Sequence, residues 1–119
     1  MEFVTLLRET PNGLTDVSPE ELQTMLGEYM EWTSKLRGQS RIVAEKSLDN
    51  TTGSVIKGYG EEAIVSDGPF VEAKEIIGGL HIIEAETIDE AIACARTCPA
   101  LKYGGRIEVR ALESWSGAE

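Results

Sequence analysis

Histidine is nearly missing from this 119-residue chain, which holds one, His81, and cysteine is scarce, at two. Structural zinc needs four ligands, and Cys94, Cys98 and a single imidazole do not supply them, so no metal is expected. Four residues apart on a helix, the two thiols share about one face and read as small buried apolar side chains. Basic residues are few, 11 against 21 acidic ones, for a net charge of -10. That field repels phosphate backbones and anionic headgroups, so neither nucleic acid nor a membrane surface is expected as a partner. No apolar run approaches the ~20 residues of a spanning helix, and the opening Met-Glu-Phe carries an acid where a signal peptide needs a basic start. A cytoplasmic protein is expected. The chain also lacks a nucleophile elbow, a phosphate loop and a dinucleotide fingerprint, so no cofactor is implied and no motif names a reaction.

What is present suits one domain over residues 1–119, large enough for a core and too short for two. Phe3 to Arg8 is apolar on both parities, as in a central strand. Pro11-Asn12-Gly13 breaks it. Ser18 then caps a helix over 18–37, with a proline at its first position and Glu21 completing a capping box. Leu22, Met25, Leu26, Tyr29, Thr33 and Leu36 recur at helical spacing as one buried stripe, and Gly38 is placed to end the helix. Arg41 to Leu48 is a strand candidate. Ser54 to Lys57 and Glu62 to Ser66 are expected to form a hairpin around Gly58-Tyr59-Gly60. Leu80 to Glu86 is the clearest strand of the second half. Thr87 caps a second helix with Glu90 in reciprocal position, Pro99 marks its end, and Arg106 to Leu112 alternates as a last strand.

Two strand-helix-strand halves of this order put both helices on one face of one antiparallel sheet, a ferredoxin-like α+β sandwich. The other sheet face is then bare. Phe3 and Val4 point to opposite sides of the first strand, so both faces are partly apolar, and a homodimer burying sheet against sheet is the expected remedy.

The stretch from Ser66 to Glu86 is where a site is expected, because a polar, glycine-rich loop there leads into an apolar strand. If Leu80 and Ile82 pack under the helices, His81 points to the open side of the sheet. If Ile107 and Val109 do the same, Glu108 and Arg110 look out on that side too. A cleft there joins His81 and Asp67 for acid-base work with Glu108, Arg110 and Lys74 to hold a small ligand. An imidazole with an ordinary pKa of ~6.5 suits proton transfer near neutrality.

A likeness is carried by Asp67-Gly68-Pro69-Phe70, by Glu72-x-Lys74-Glu75, by Gly78-Gly79 with the apolar strand after it, by the Thr87-x-x-Glu90-Ala91 helix start, and by Glu108-Val109-Arg110. These residues resemble the DGPF family, related to the YCII proteins. The likeness is specific over residues 62–112 and rests on element order over 1–61. It implies a dimeric α-β barrel, in a superfamily that includes enzymes acting on small, often ring-derived substrates. YCII-type enzymes pair an aspartate with a histidine near the chain start. Here Asp67 matches the motif, no histidine precedes His81, and relatives commonly carry an aromatic residue at its position. Two functions follow as expectations: a small polar or aromatic metabolite bound beside the open sheet face, or a noncatalytic dimeric module that engages a protein, since some family members are encoded near alternative sigma factors.

Overall fold

One strand organises the sheet. β1 (Glu2–Glu9) pairs antiparallel with β5 (Ile76–Glu84) on one side and with β6 (Arg106–Ala111) on the other. β2 (Ile42–Ser47) pairs with the far edge of β5, giving the order β2-β5-β1-β6. α1 (Pro19–Gly38) connects β1 to the β2 edge, and α2 (Ile88–Ala95) connects β5 to β6. β3 (Val55–Lys57) and β4 (Ile64–Ser66) form a separate two-stranded sheet. This is the ferredoxin-like α+β sandwich, two helices packed on an antiparallel sheet. The computed structural model describes residues 1–10, 17–49, 52–67 and 75–113. The expected break at Pro11-Asn12-Gly13 lies outside them, as do Gly68, Pro69 and Lys74. Among the described residues, no helix is long and apolar enough to cross a membrane.

Local chemistry starts both helices where the residues say they should. The Ser18 hydroxyl accepts from the Glu21 amide at 3.1 Å, and the Thr87 hydroxyl accepts from the Glu90 amide at 3.2 Å, each satisfying one orphan donor of the first turn. The reciprocal half of the second box is shifted by one residue, with the Glu90 carboxylate accepting from the Glu86 amide.

The strand pairing sorts side chains into two faces. Phe3, Thr5 and Leu7 of β1 stand opposite Ile83, His81 and Gly79 of β5, and opposite Ala111, Val109 and Ile107 of β6. This is the helix-covered face: Phe3, Thr5, His81 and Ile83 are all fully buried. Phe3 and Ile83 pack with Ala85 and Ala91, and Trp32 and Leu36 with Cys98; Ile42 and Cys94 touch both groups. Val4 and Leu6, opposite Ile82 and Leu80, line the other face, where none of the described helices packs, and are half-buried. Both cysteines are free thiols on the helix side, Cys98 buried and Cys94 half-buried, and because α2 ends at Ala95, Cys98 lies beyond the helix expected to carry both.

Two expectations are corrected. The buried stripe of α1 covers only its C-terminal half: Trp32, Thr33 and Leu36 are buried, whereas Leu22 and Leu26 are exposed. A 20-residue helix is ~30 Å long and overhangs a six-residue edge strand of ~20 Å. Gly78 and Gly79 belong to β5 rather than to a loop before it. The pairing with β1 slips between Leu7 and Arg8, a bulge, and a Cβ at Gly78 would collide with the Glu9 carboxylate packed there.

Candidate functional site

His81 lies on the covered face, beneath α1, and not on the open face with Glu108 and Arg110. The strand carries apolar residues on both parities, so its alternation sets no direction; Phe3 and Ile83, the largest fully buried side chains, take the helix side, and His81 shares their parity. Its ring is held at both nitrogens. Thr5 Oγ1 lies 3.1 Å from Nδ1, and the Tyr29 hydroxyl is hydrogen-bonded to Nε2. Trp32 meets the imidazole nearly edge-on, with ring centroids 5.2 Å apart, and its own indole N–H donates to Thr97 at 2.9 Å.

Burial pushes His81 below the usual histidine range, and the nearby Arg37 guanidinium adds to the shift. Burial likewise pushes the Tyr29 phenol up to about 12, with Arg37 opposing. Both groups are therefore neutral at neutral pH. A neutral imidazole donates through one nitrogen and accepts through the other, so it bridges a hydroxyl on β1 and a phenol on α1 without an orphaned polar atom.

Tyr29 also lines a groove of about 590 Å³ between α1 and β2. Thr33 and Arg37 of α1 form one wall; Glu45, Lys46 and Ser47 of β2 form the other. Arg37 is ion-paired with Glu45 across it. Ser47 stands opposite Gly79, which is buried and lies so close to the β2 backbone that a Cβ there would meet the Lys46 carbonyl oxygen at 3.0 Å.

The remaining expected site residues are elsewhere. Asp67 is exposed at the end of the separate β3–β4 hairpin, and the hydrogen bonds of His81 among the described residues go to Thr5 and Tyr29. Glu108 and Arg110 stand together on the open face, opposite Leu6 and Val4, as their alternation predicts. There Arg8 lies 3.6 Å from Glu108 and 3.4 Å from Glu75, and Arg106 makes a two-pronged contact with Glu75 at 2.6 Å. That contact holds the Glu75 carboxyl below its ordinary range. Lys74 lies outside the described residues.

Sequence reading passed over Tyr29, Trp32 and Thr5 as site residues. Tyr29 was legible as part of the helical stripe. A signal was available in chemistry: a buried phenol needs a polar partner, and the chain's single imidazole is the natural one.

The family model of the YCII-related domain matches residues 1–116. An uncharacterised protein of Rhizobium meliloti (strain 1021) is 32% identical over 100 residues, covering 83% of this chain and 76% of that protein. A solved structure, 5-chloro-2-hydroxyhydroquinone dehydrochlorinase (TftG) from Burkholderia phenoliruptrix AC1100 in complex with 2,5-dihydroxybenzoquinone, is similar at a TM-score of 0.49 and 22% identity, covering 95% of this chain and 94% of that one. With a family model spanning nearly its whole length, this chain belongs to the YCII-related family.

Proposed function

We propose that this YCII-related protein is a cytoplasmic homodimer that binds a small polar or aromatic metabolite in the groove between α1 and β2, with acid-base chemistry centred on His81. The observation that carries the reading is Tyr29, which lines the groove while its hydroxyl is bonded to a buried, neutral imidazole. A side chain fixed by that bond is pre-organised at the groove wall. The partner that supports acid-base work is thus Tyr29 in place of Asp67. Glu108 and Arg110 better suit the rim of an interface, since they edge the apolar patch of Val4, Leu6, Leu80 and Ile82, with Lys46 on its opposite edge. In a two-fold sheet-to-sheet contact these opposite charges complement one another. Two free thiols suit a reducing compartment.

A metabolite-library thermal scan tests the site. A ligand at a hundredfold excess over its dissociation constant stabilises by ~2.7 kcal/mol, which a melting curve resolves easily. Ser34→Trp, an exposed position on the groove wall, is expected to abolish the shift without unfolding the protein. A library without a hit, or a hit that survives Ser34→Trp, removes the reading.

A further inference from the structure

We propose that the β3–β4 hairpin is an arm that docks on a second copy of this chain, its Ile56–Val65 face against the partner's open sheet face and its acidic turn against the partner's β6 edge. The inference rests on the sheet-to-sheet homodimer proposed above and adds the element that completes its contact.

Exposure, shape and area carry it first. Every residue of both hairpin strands is exposed, Ile56 at 68% and Val65 at 63% among them. A two-stranded hairpin is marginal in water by itself, so aliphatic side chains on this arm serve a contact beyond the chain's own body. The radius of gyration is 16.4 Å, against about 13.5 Å for a compact chain of this length. The arm is nevertheless shaped: Gly58 and Gly60 take φ of 98° and 70° in its turn, and a Cβ at Gly58 would meet the Ala63 Cα at 3.3 Å. Its two faces also differ. Ile56 stands opposite Val65, an aliphatic pair alone on its face, while Val55 and Ile64 share the other with Lys57 and Ser66. The unmixed face suits a dry contact. The open sheet face needs such an addition, because Val4, Leu6, Leu80 and Ile82 are half-buried and expose far less than the ~800 Å² per partner of a standard interface.

Charge selects a second copy as the occupant. Glu61 and Glu62 of the turn are exposed and make no ion pair among the described residues. Around the β6 edge of the open face stand Arg8, Arg106 and Arg110 against Glu75 and Glu108, a surplus of one cation in a chain of net charge -10. Arg110 is the most loosely held of the three, 69% exposed and 4.0 Å from Glu108. An acidic turn beside an aliphatic pair thus matches a basic edge beside an aliphatic patch, and both surfaces belong to the same chain. In a two-fold contact each copy gives one arm and receives one.

The test measures the dimer dissociation constant of the full chain by sedimentation equilibrium, with circular dichroism to establish that each variant folds. Ile56→Asp is expected to weaken association about tenfold or more, and Ile64→Asp, on the other face of the arm, to change it by less than about twofold. Glu61→Arg together with Glu62→Arg is expected to weaken it about tenfold, as is Arg110→Glu by itself. The first pair makes the chain less negative, which alone favours self-association, so a loss there is specific to the contact. All three charge reversals combined are expected to recover most of the loss, because opposite charges then meet in exchanged places. A chain that is monomeric at micromolar concentration removes the sheet-to-sheet dimer itself. A dimer broken by Ile82→Asp but untouched by Ile56→Asp keeps the sheet contact and overturns the arm. Equal losses from Ile56→Asp and Ile64→Asp also overturn it. Should Ile56→Asp fail to fold, a combined charge reversal that recovers nothing overturns the arm in its place.

Discussion

The two faces of the sheet are built from the same strands and do different things. On the covered face, the middle rung runs Glu45, His81, Thr5, Val109, and its polar members are tied to one another or to α1. On the open face, the matching rungs run Lys46, Leu80, Leu6, Glu108 and Ala44, Ile82, Val4, Arg110: aliphatic at the centre, and charged at every edge position except Ala44. The contrast teaches that burial by helices, rather than polarity, selects where this fold places its titratable pair. A buried imidazole and phenol are tolerated because each satisfies the other, while the half-buried aliphatic patch has no such internal partner among the described residues, which suits the proposed second copy.

Substitutions can break this contrast or sharpen it. The largest effect is expected from Phe3→Ala, which empties the covered face and should cost about 3–5 kcal/mol in denaturant unfolding. Ile82→Asp, on the same strand but the opposite face, should leave the fold intact and weaken self-association by about a hundredfold or more, read by sedimentation velocity. A protein that is monomeric at micromolar concentration before the substitution would remove the dimer.

Acid separates the faces again. His81 is held below its unfolded value of ~6.5 by burial and by Arg37, with Tyr29, Trp32 and Thr5 packed around it and Glu45 beside it on β2. The fold therefore favours the neutral ring, and its contribution to stability is complete above pH ~6.5. It is lost as pH falls toward the folded value, at up to about 1.4 kcal/mol per pH unit. His81→Gln should flatten that slope in urea titrations between pH 7 and 5, and an unchanged slope would mean the ring is not shielded.

Smaller effects test the overhang of α1. Ser18→Ala removes the cap from the half of the helix that leaves the sheet and should cost ~1 kcal/mol, seen as lost amide protection confined to the first turns. Arg106→Gln, on the exposed edge of the open face, should move the melting temperature least of all, because water and salt already screen its pairing with Glu75.

Much of this was legible in the residues. Ser18 and Thr87 mark their helices because a side-chain oxygen beside orphan amides is local chemistry that needs no tertiary partner. The alternation of Ile107, Glu108, Val109 and Arg110 assigns β6 its faces, because its two parities differ in polarity. The same reasoning fails for Leu80 to Ile83, where both parities hold aliphatics, and for α1, whose stripe is longer than the sheet beneath it. The Gly78-Gly79 pair looked like a loop because a bulge in a strand and a turn both need the glycine's freedom from a side chain.

By itself, then, the sequence determined the order of strands and helices, the starting points of the two helices, the acidic field and the partly apolar character of both sheet faces, all properties of periodicity, capping and composition. Only the tertiary structure decided that His81 turns inward and that Tyr29, 52 residues away, closes on it. That meeting depends on which parity of β5 the helices cover, and the packing of Phe3 and Ile83 chose it through contacts between segments far apart in the chain.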